Sequence, residues 1–520
     1  MRVLTVITAI MAIYATFLVM RHNMHMFQLN GYKNDEHIRW LGKNIRQQWL
    51  LVFGAALGLV RLFFAPVFLD ILILLTLFMD IWDYRALRRL NNKKKLVFTP
   101  RVKRMMAVII LLSAAVPAAV FMFWGIRPLN GVFMMVTALQ ALLVIGANII
   151  NHPLETMISR HYINDARRIL RSMPSLKVIG VTGSYGKTSV KYYLETLLKA
   201  RYDVLVTPGN FNTPLGITRT IREHMKPSHE IFICEMGARR VKEIKEICDL
   251  FPPDEGVITA VGPQYLETFH SIENIVDTKF ELADAVRGRG NIFLNGDNDI
   301  IREKAALYPG AVLYGTSEDI KGYRAKDISL SNLGTEFTVV TPDNEEERFR
   351  MKLIGAHNVI NVLGAIAVAN MNGIPLKELK IPVRRIESVE HRMQIRDQGN
   401  ITLIDDAYNS NPAGSKAAVE TLAMFEGIRI LITPGMVELG EKEEEYNYKF
   451  GTYAAEHCDY IILVGEKHTR PIAEGIRSRS FPEGKLKVFE RLEDALSHAY
   501  GIKDEGHKYI LLENDLPDNY

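Results

Sequence analysis

Long apolar runs crowd into the first 150 residues, and this uneven distribution limits the possible folds more than any other feature of the sequence. Residues 3–20 contain no charged side chain, and a helix of that length, rising about 1.5 Å per residue, is long enough to span a bilayer's hydrocarbon core of ~30 Å. After residue 150, short apolar runs alternate with helical patterns, as in α/β domains with parallel sheets. We therefore predict an α-helical membrane domain at residues 1–150, followed by soluble α/β domains.

About five membrane spans are predicted. Residues 3–20 are interpreted as a signal anchor, because residues 17–20 make a poor cleavage site for a signal peptide. Residues 49–82 are interrupted by charges and a proline, which favours two short spans joined by a tight turn; a re-entrant or interfacial hairpin is the alternative. Residues 107–125 and 131–150 are predicted to form an antiparallel pair because the link between them is short.

The charged side chains of Arg61 and Asp70 interrupt the apolar sequence at residues 49–82. Ionisable residues inside membrane segments are often functional, but a mutual salt bridge at the turn would explain both charges without a function. The segment 83–106 is rich in Lys and Arg, which are retained on the cytoplasmic side. This segment and the chain after residue 150 are therefore predicted to be cytoplasmic. The cluster Lys93, Lys94 and Lys95 is either a solvated loop or a contact with anionic lipid.

The composition constrains the soluble part. At 520 residues the chain is too long for one core, so two or three domains are expected. The net charge of +4 is small for this length, which argues against nucleic acid as the main partner. The three cysteines, Cys234, Cys248 and Cys458, have none of the paired spacings of zinc sites or disulfide scaffolds. A reducing cytoplasm fits this part of the chain.

A glycine-rich loop follows the first strand-like run of the soluble part. Residues 176–181 have strand character, residues 182–189 read TGSYGKTS, and a helical pattern continues to residue 198. Strand, glycine loop and helix form the context of a phosphate-binding loop, in which backbone N–H groups at the helix start bind phosphate oxygens. It is a variant loop, because Val181 stands where the strict pattern has its first glycine. The predicted phosphate-binding residues are Gly183, Ser184, Gly186, Lys187, Thr188 and Ser189.

Six blocks after this loop resemble, in order, the Mur ligases and their relatives that lengthen folate or poly-glutamate chains. The blocks are residues 209–216, 234–238, 278–281, 355–361, 391–393 and 405–412. Within this family, the group that adds D-alanyl-D-alanine to a muramoyl tripeptide is most similar. Residues 405–412 differ from that group's pattern only at Ala407 and Ser410, and residues 436–440 are also similar to its sequence.

The resemblance implies an ATP-dependent ligase that forms an amide bond. In this family a substrate carboxylate attacks the γ-phosphate of ATP, and an incoming amine then displaces phosphate from the acyl phosphate. The resemblance also implies a P-loop-type central ATPase domain, placed at residues 151–385, and a Rossmann-like C-terminal domain, placed at residues 386–520. The active site is expected in the cleft between them, and closure of that cleft would exclude water.

The resemblance also implies residue roles. The catalytic residues would be Lys187, Lys279, Arg392 and Asp406. Magnesium would be held by Thr188, Glu235 and Lys279, the last as a carbamate formed with CO₂. Contacts with the adenine of ATP would come from Asn295, His357, Asn358 and Asn361, and the pair Arg392 and Asp406 would reach ATP from the linker and the C-terminal domain. Contacts with the substrates would come from Asn210, Asn212, Thr213, Tyr408, Asn409 and Asn411. Without the resemblance, Asn358 would be interpreted as a helix cap and residues 409–412 as a turn.

Three features depart from the family pattern. Tyr265 stands where the family generally has a histidine near a second magnesium, and a neutral phenol is a poor substitute for an imidazole ligand. Residues 513–520 are acidic where the related group tends to have a glycine-serine turn, so this tail is either a substrate contact or a frayed end. The domain that grips uridine diphosphate in this group has no counterpart before residue 176, where a membrane domain stands instead.

Three functions remain open from the sequence. The first is a ligase in cell-wall precursor synthesis that joins D-alanyl-D-alanine, or a similar amine, to a peptide precursor at the membrane. The second is a membrane-associated ligase acting on another substrate, such as poly-glutamate or a lipid-linked acceptor. The third is a membrane scaffold that binds ATP without ligase activity. The expected partners are ATP, Mg²⁺, a small-molecule or lipid-linked peptide precursor, an amino-acid or dipeptide amine, and membrane lipid, with no nucleic acid.

Overall fold

The computed structural model describes residues 2–44, 48–64, 66–89, 95–331, 333–408 and 410–515. The chain divides into two compact units, one up to residue 160 and the other from residue 161. The predicted lipid-contact residues Lys93 and Lys94, the predicted substrate residue Asn409 and residues 516–520 of the acidic tail lie outside the described residues. The predicted division near residue 386 stays a prediction, although a separate sheet lies on each side of it.

The first unit is built from helices. They are α1 (Arg2–Leu29), α2 (Asn34–Lys43), α3 (Trp49–Phe63), α4 (Val67–Arg89), α5 (Pro100–Trp124), α6 (Leu129–Ala138) and α7 (Gln140–Arg171), which continues into the second unit. Helix α5 begins with Pro100 after the cap Thr99, whose hydroxyl accepts a hydrogen bond from the Val102 N–H group. Proline suits a first helical position because the N–H it lacks would have no partner there.

Three helices in the described part of the chain are long and apolar enough to cross a membrane, namely Val3–Leu29, Pro100–Trp124 and Gln140–Arg171. The segment 49–82 forms two helices, α3 and the first part of α4, as the prediction of two short segments requires. The prediction of one helix over residues 131–150 was wrong, because α6 ends at Ala138 and α7 begins at Gln140. At this break the buried Gln140 amide donates to Val136 O (2.9 Å) and Ser113 Oγ (3.1 Å).

The salt bridge predicted between Arg61 and Asp70 is confirmed. Arg61 Nε donates to Asp70 Oδ1 over 2.6 Å and Nη2 to Oδ2 over 3.2 Å, with both side chains buried. Asn130 Nδ2 of α6 adds a third hydrogen bond to Asp70, at 2.9 Å. Gly58 and Gly131 let α3 and α6 approach closely, since a Cβ on Gly58 would lie 2.7 Å from Gly131 O. The charged pair therefore joins the α3–α4 turn to α6.

A nine-stranded sheet forms the first part of the second unit, in the order β2-β3-β1-β4-β5-β6-β7-β8-β9. Pairing is parallel from β2 to β7, and β8 and β9 are antiparallel. The strands are β1 (Lys177–Thr182), β2 (Val204–Val206), β3 (Ile231–Glu235), β4 (Glu255–Ile258), β5 (Ile292–Asn295), β6 (Val312–Gly315), β7 (Tyr323–Ser331), β8 (Gly334–Val340) and β9 (Glu346–Met351). The helices are α8 (Lys187–Leu198), α9 (Pro214–His224), α10 (Glu243–Leu250), α11 (Leu266–Phe269), α12 (Ile272–Val286), α13 (Asp299–Ala305), α14 (Ala356–Met371) and α15 (Leu376–Arg385).

Both faces of this sheet are covered, which explains the continuous apolar runs of its parallel strands. Along β3, Ile231 and Ile233 belong to one buried cluster, with Val190 of α8 and Val359 of α14. The alternate residue Phe232 belongs to a second buried cluster on the opposite face. Parallel sheets with helices on both faces lack the polar alternation of half-exposed strands.

A six-stranded sheet follows, in the order β10-β11-β15-β12-β13-β14. Among the described strands of this sheet, β10 alone is antiparallel to its neighbour. The strands are β10 (Gln394–Asp397), β11 (Ile401–Asp406), β12 (Ile428–Thr433), β13 (Tyr460–Val464), β14 (Leu486–Phe489) and β15 (Lys508–Glu513). The helices are α16 (Pro412–Leu422), α17 (Glu443–His457), α18 (Glu466–Arg477) and α19 (Leu492–Gly501). The prediction of parallel-sheet α/β domains after residue 150 is confirmed.

Polar residues end several neighbouring parallel strands in both sheets. In the nine-stranded sheet, β3 ends at Glu235 and β5 at Asn295. In the six-stranded sheet, β11 ends at Asp406, β12 at Thr433 and β15 at Glu513. Open α/β sheets bind ligands outside the carboxyl ends of their strands. The fold therefore brings the predicted site residues to the edge where such sheets bind ligands.

Candidate active site

The phosphate loop joins β1 to α8, and two of its positions require glycine. Gly183 has a φ of 152°, and a Cβ there would lie 2.2 Å from Thr259 Oγ1 and 2.9 Å from Ala260 O. Gly186 has a φ of 78°, and a Cβ there would lie 2.8 Å from Asn361 Oδ1. Only glycine adopts such positive φ values without strain. The predicted ATP contact Asn361 therefore lies against the phosphate loop.

The segment that follows β4 is hydrogen-bonded to the phosphate loop. The buried Ser184 hydroxyl donates to Gly262 O (3.0 Å), and the Ser184 N–H group donates to Ala260 O (2.6 Å). Tyr185 adds a hydrogen bond from its hydroxyl to Pro263 O (3.1 Å). The Ser184 hydroxyl group is therefore already hydrogen-bonded within the protein. Thr188 and Ser189 come later, in the first turn of α8.

Lys187 folds back over the loop that precedes it. Its Nζ atom donates to Gly183 O (2.7 Å) and Ser184 O (3.0 Å). Burial lowers the pKa of Lys187 to about 8, with Glu235 opposing the shift and Arg392 adding to it. Arg392, just before the six-stranded sheet, therefore lies near enough to the phosphate loop to affect the pKa of Lys187. This ammonium group is placed where phosphate oxygens would replace the two carbonyls as its acceptors.

Glu235 lies at the end of β3, beside the first turn of α8. Thr188 Oγ1 donates to its Oε1 atom over 3.3 Å, and Asn212 Nδ2 donates to the same oxygen over 3.0 Å. Burial by itself would raise the pKa of this carboxyl group, but the ammonium groups of Lys191 and Lys187 lower it. Glu235 is therefore held as a carboxylate next to Thr188, as the predicted magnesium site requires.

The residues of this site fit the magnesium ion that the resemblance implies. Mg²⁺ prefers oxygen ligands and commonly binds through one or two carboxylates together with substrate phosphates. The Glu235 carboxylate and the Thr188 hydroxyl supply two such oxygens at the mouth of the phosphate loop. Across the described ranges, no group of three or more His, Cys, Asp or Glu side chains could hold a metal ion. Phosphate oxygens and water are the usual remaining ligands of such an ion, and the resemblance adds a carbamate of Lys279.

Lys191 is the site residue that the sequence analysis missed. Its Nζ atom lies 3.0 Å from Glu235 Oε2, and the side chain is fully buried. The only signal in the sequence is its position four residues after Lys187, which places both lysines on one face of a helix. A lysine in a helix is ordinarily exposed, so this spacing alone does not indicate a buried ion pair.

Lys279 is buried in α12, and its ammonium group lies 5.9 Å from the centre of the Phe269 ring. Burial lowers the pKa of Lys279 well below its usual value, and the charge of Lys187 lowers it further, while Glu243 and Glu281 oppose the shift. Only an uncharged amine can attack CO₂. The environment of Lys279 thus favours the chemistry of the predicted carbamate, which itself stays a prediction.

Two of the predicted adenine contacts are engaged within the protein. Asn295 Nδ2 donates to Thr259 O (2.8 Å), and Asn295 Oδ1 accepts from Asp297 N (3.0 Å). Asn358 Nδ2 donates to Ile354 O (2.9 Å), and its Oδ1 atom accepts from the Tyr193 hydroxyl (3.0 Å). These hydrogen bonds explain why both positions are asparagine without reference to a ligand.

His357 stands in the first turn of α14, next to Asn358. Burial lowers the pKa of His357 to about 4, so its imidazole is neutral at physiological pH. A neutral ring can both donate and accept a hydrogen bond, as contact with a purine base requires. The predicted adenine contacts of Asn295, His357, Asn358 and Asn361 stay predictions.

Arg392, Asp406 and Tyr408 lie together beside the six-stranded sheet. The Arg392 guanidinium is 4.2 Å from the centre of the Tyr408 ring, which is itself partly exposed. Asp406 Oδ1 accepts a hydrogen bond from Met393 N (3.1 Å). Burial raises the pKa of Asp406 to about 7; Glu513 raises it further, while Arg392 lowers it. The predicted pair Arg392 and Asp406 is therefore electrostatically coupled.

Three other predicted substrate residues serve the local fold or face solvent. Thr213 caps α9 by accepting from Gly216 N (3.3 Å), and Asn411 caps α16 by accepting from Gly414 N (2.8 Å). Asn210 is exposed. Among the described hydrogen bonds of these loop residues, the one that reaches Glu235 comes from Asn212.

Tyr265, which replaces the expected histidine, belongs to a bridge between the two sheet regions. Arg239 stacks on it, with its guanidinium carbon 4.6 Å from the ring centre, and Arg239 Nη1 lies 3.2 Å from Glu438 Oε1. Glu438 belongs to the segment that resembles the related group at residues 436–440. The Tyr265 side chain therefore takes part, through Arg239, in a contact between the two sheet regions. No metal-binding role follows from its contacts.

The start of the acidic tail is ordered within the six-stranded sheet. The buried Glu513 carboxylate accepts hydrogen bonds from the hydroxyl groups of Ser410 and Thr433, the latter at 2.6 Å. Asn514 is also buried and donates from its side chain to Gly435 O. A frayed end does not fit these two residues, because their polar groups hold the loops at the strand ends; a substrate contact of the tail stays a prediction.

Two family models match the second unit. The Mur ligase middle domain matches residues 181–369, and the Mur ligase, glutamate ligase domain, matches residues 391–512. The chain belongs to the Mur ligase family. Members of this family are ATP-dependent ligases that form peptide bonds, so the predicted enzyme class is confirmed.

The similar Mur ligases share one activity in their names. The chain is 31% identical to the UDP-N-acetylmuramoyl-tripeptide–D-alanyl-D-alanine ligase of Bacillus subtilis over 331 residues, which make up 63% of this chain and 68% of that enzyme. It is 28% identical to the enzyme of the same name from Escherichia coli over 343 residues, 64% of this chain and 75% of that enzyme.

Solved structures of related proteins have the same fold. The structure of MurF from Acinetobacter baumannii gives a TM-score of 0.63 at 24% identity, covering 70% of this chain and 78% of that one. MurF from Thermotoga maritima, solved in complex with ADP, gives 0.61 at 24% identity, covering 69% and 80%. The predicted Mur ligase fold is therefore confirmed.

Proposed function

We propose that this Mur ligase joins D-alanyl-D-alanine, or a similar amine, to a peptide precursor of the cell wall at the cytoplasmic face of a membrane. The observation that carries the proposal is the grouping of Lys187, Thr188 and Glu235 at the mouth of the phosphate loop, with Arg392 near enough to influence Lys187. The substrates are inferred from the names of the similar enzymes.

The proposed reaction has two steps. A carboxylate oxygen of the precursor attacks the γ-phosphorus of ATP and ADP departs, which leaves an acyl phosphate. The amine nitrogen then attacks the acyl carbon, phosphate departs, and the nitrogen loses a proton. Both steps gather negative charge, which fixed positive groups stabilise. Lys187 would hold the β- and γ-phosphates, and Arg392 would approach them from the side of the six-stranded sheet.

Magnesium would be held by Thr188, Glu235 and, as a carbamate, Lys279, and its charge would offset that of the phosphates. The carbamate would form when the neutral Lys279 nitrogen attacks the carbon of CO₂ and loses a proton. The lowered pKa of Lys279, caused first by burial, supports this step. A second metal at Tyr265 is not part of the proposal, because its phenol lies under Arg239.

Asp406 and Tyr408 would complete the site from the six-stranded sheet. Asp406 is fixed by the N–H group of Met393, and Tyr408 stacks on Arg392, so these side chains orient one another. The ion pair between Arg239 and Glu438 would hold the two sheet regions together during the reaction. With the two sheet regions held together around it, the acyl phosphate would be shielded from water and so protected from hydrolysis.

The membrane location is inferred from the three long apolar helices and from the basic segment 83–106. Such helices favour a chain anchored by its first unit, with the catalytic unit in the cytoplasm. The same observation favours a second candidate function, a ligase that acts on a lipid-linked acceptor. The apolar helices precede the ligase domains where the resemblance implies a domain that grips uridine diphosphate, and a lipid-linked acceptor would already be at the bilayer.

The test uses the full chain in lipid nanodiscs with ATP, Mg²⁺, UDP-muramoyl tripeptide and D-alanyl-D-alanine. The first function predicts a pentapeptide product by mass spectrometry and ADP release that needs both substrates. Both should be lost in Lys187→Ala and retained in Lys199→Ala, an exposed lysine at the end of the same helix. Turnover only with a lipid-linked acceptor, or only with glutamate, would move the assignment to the second function. No turnover with any acceptor would favour an ATP-binding scaffold.

A further inference from the structure

The ammonium group of Lys191 joins two parts of the candidate site that lie far apart in sequence. Its Nζ atom lies 3.0 Å from Glu235 Oε2, at the end of β3. The same atom donates a hydrogen bond of 2.7 Å to Gly209 O, in the loop between β2 and α9. One side chain therefore connects the proposed magnesium ligand with the loop that holds proposed substrate contacts.

The burial of Lys191 requires an explanation, because burying an ammonium group is unfavourable unless it is paired. The Glu235 carboxylate, the Gly209 carbonyl and the face of the Tyr192 ring, 4.5 Å away, surround this charge. Lys199, at the end of the same helix, shows the ordinary alternative, with 54% exposure and an ion pair to Glu195. Lys191 is thus built into the site.

The two oxygens of Glu235 have different surroundings. Oε1 receives hydrogen bonds from Thr188 and Asn212, whereas Oε2 faces Lys191. A rotation of the carboxylate would separate Oε2 from the ammonium group in a buried environment. Lys191 therefore keeps one oxygen occupied and directs the other toward Thr188 and the phosphate loop.

The loop at residues 209–213 is attached to the same group of side chains. Besides the Lys191 bond, Gly209 N donates to the Tyr192 hydroxyl (2.9 Å). Asn212 reaches Glu235 through its side chain and accepts from Gly237 N (2.9 Å) through its backbone oxygen. Without Lys191, the Gly209 end of this loop would keep only the contact to Tyr192 among the described hydrogen bonds.

We propose that Lys191 is a positioning residue that orients Glu235 toward the metal and holds the loop at residues 209–213 against that carboxylate. The geometry of the metal site and the geometry of the acceptor loop then depend on one ammonium group. This inference rests on the proposed function, because it gives Glu235 the role of metal ligand and the loop the role of acceptor contact.

The experiment compares Lys191→Met and Lys191→Gln with the matched control Lys199→Met in the full chain. Hydrogen exchange of the backbone amides at residues 209–213 is measured without ligands, and Mn²⁺ binding in the presence of ADP is measured by electron paramagnetic resonance. Lys191→Met should raise the exchange of the loop about tenfold, as expected for the loss of a tethering hydrogen bond. It should also weaken Mn²⁺ binding about 10- to 100-fold, because the carboxylate is no longer oriented. Lys199→Met should change neither.

A folded Lys191→Met chain with parental loop exchange and parental Mn²⁺ binding would overturn the inference and leave the proposed function standing. If that variant does not fold, Lys191→Gln decides by the same two readouts, since it removes the charge and keeps a polar side chain. Neither readout needs an acceptor or turnover. A chain inactive toward every acceptor, with both readouts still dependent on Lys191, would therefore refute the proposed function alone.

Discussion

Replacing Gly183 by alanine tests the phosphate loop with the least chemical change. The added Cβ would lie 2.2 Å from Thr259 Oγ1 and 2.9 Å from Ala260 O. The Thr259 hydroxyl can rotate away, but Ala260 O is backbone and accepts a hydrogen bond from Ser184 N (2.6 Å). The φ of 152° adds strain of about 1–3 kcal/mol for a residue with a side chain. The loop must therefore shift, and its N–H groups would no longer converge on one phosphate.

The expected loss of affinity follows from the hydrogen bonds that converge there. A hydrogen bond to a charged group contributes about 1.5–3 kcal/mol, so the loss of two would weaken ADP binding by roughly 10²- to 10⁴-fold. Titration calorimetry of ADP with the purified full chain measures this change directly. Near-ultraviolet circular dichroism of the same sample checks that the variant remains folded.

Gly399→Ala is the matched control. Gly399 also has a positive φ, 76°, but no heavy atom lies within 4 Å of a Cβ built there. Its replacement should lower stability by about 1–2 kcal/mol through backbone strain and leave ADP binding unchanged. A folded Gly183→Ala chain that binds ADP within about threefold of the parent would refute the assignment of this loop to phosphate, since threefold is only about 0.7 kcal/mol.

Three further predictions concern charged groups. Asp70→Ala should lower the melting temperature strongly, because a buried Arg61 left without its partner destabilises a protein by about 3–5 kcal/mol. Adding Arg61→Leu to the same chain should restore much of the loss. Equal melting temperatures for the single and double variants would contradict this prediction. Removing CO₂ and bicarbonate from the buffer should reduce ligase activity reversibly, and a ¹³C carbamate signal formed from ¹³CO₂ should be absent in Lys279→Arg; full activity without CO₂ would exclude the carbamate. Burial raises the pKa of Asp406 to about 7, so the folded protein keeps the Asp406 proton at a higher pH than the unfolded chain does, and the contribution of this group to stability falls as pH rises from about 4 to 7. Asp406→Asn should therefore narrow the difference in melting temperature between pH 5 and pH 7.5. An unchanged difference would show that Asp406 does not titrate in this range.

Local sequence patterns predicted the α/β fold correctly and located the segments from which the candidate site is built. The phosphate loop could be predicted because strand, glycines and helix are consecutive, and Gly183 and Gly186 both have the positive φ values that favour glycine. The end of β3 at Glu235 followed from an apolar run that stops at a charge. The salt bridge between Arg61 and Asp70 was predictable because two opposite charges in one apolar hairpin have few other partners.

Contacts between distant segments could not be predicted in this way. Lys191 and Glu235 are far apart in sequence, and nothing near Lys191 indicates that it is fully buried. Glu513 was interpreted as the start of a tail, yet it has partners on both sides in the sheet. Thr433 ends the neighbouring strand β12, and Ser410 lies in the loop that follows the other neighbour, β11. Asn358 was assigned to adenine, and only the folded protein shows Tyr193 as its partner.

The break between α6 and α7 has the same origin. Residues 131–150 have the composition of one continuous helix, but the helix is interrupted between Ala138 and Gln140, and there the side chain of Gln140 reaches Ser113 in α5. For this protein, the sequence alone determined the apolar helices, the phosphate loop and the strand ends, because each depends on neighbouring residues. Which polar side chains are buried together, and therefore which of them act on one another at the site, was decided only by the tertiary structure, because burial depends on segments that meet only when the chain folds.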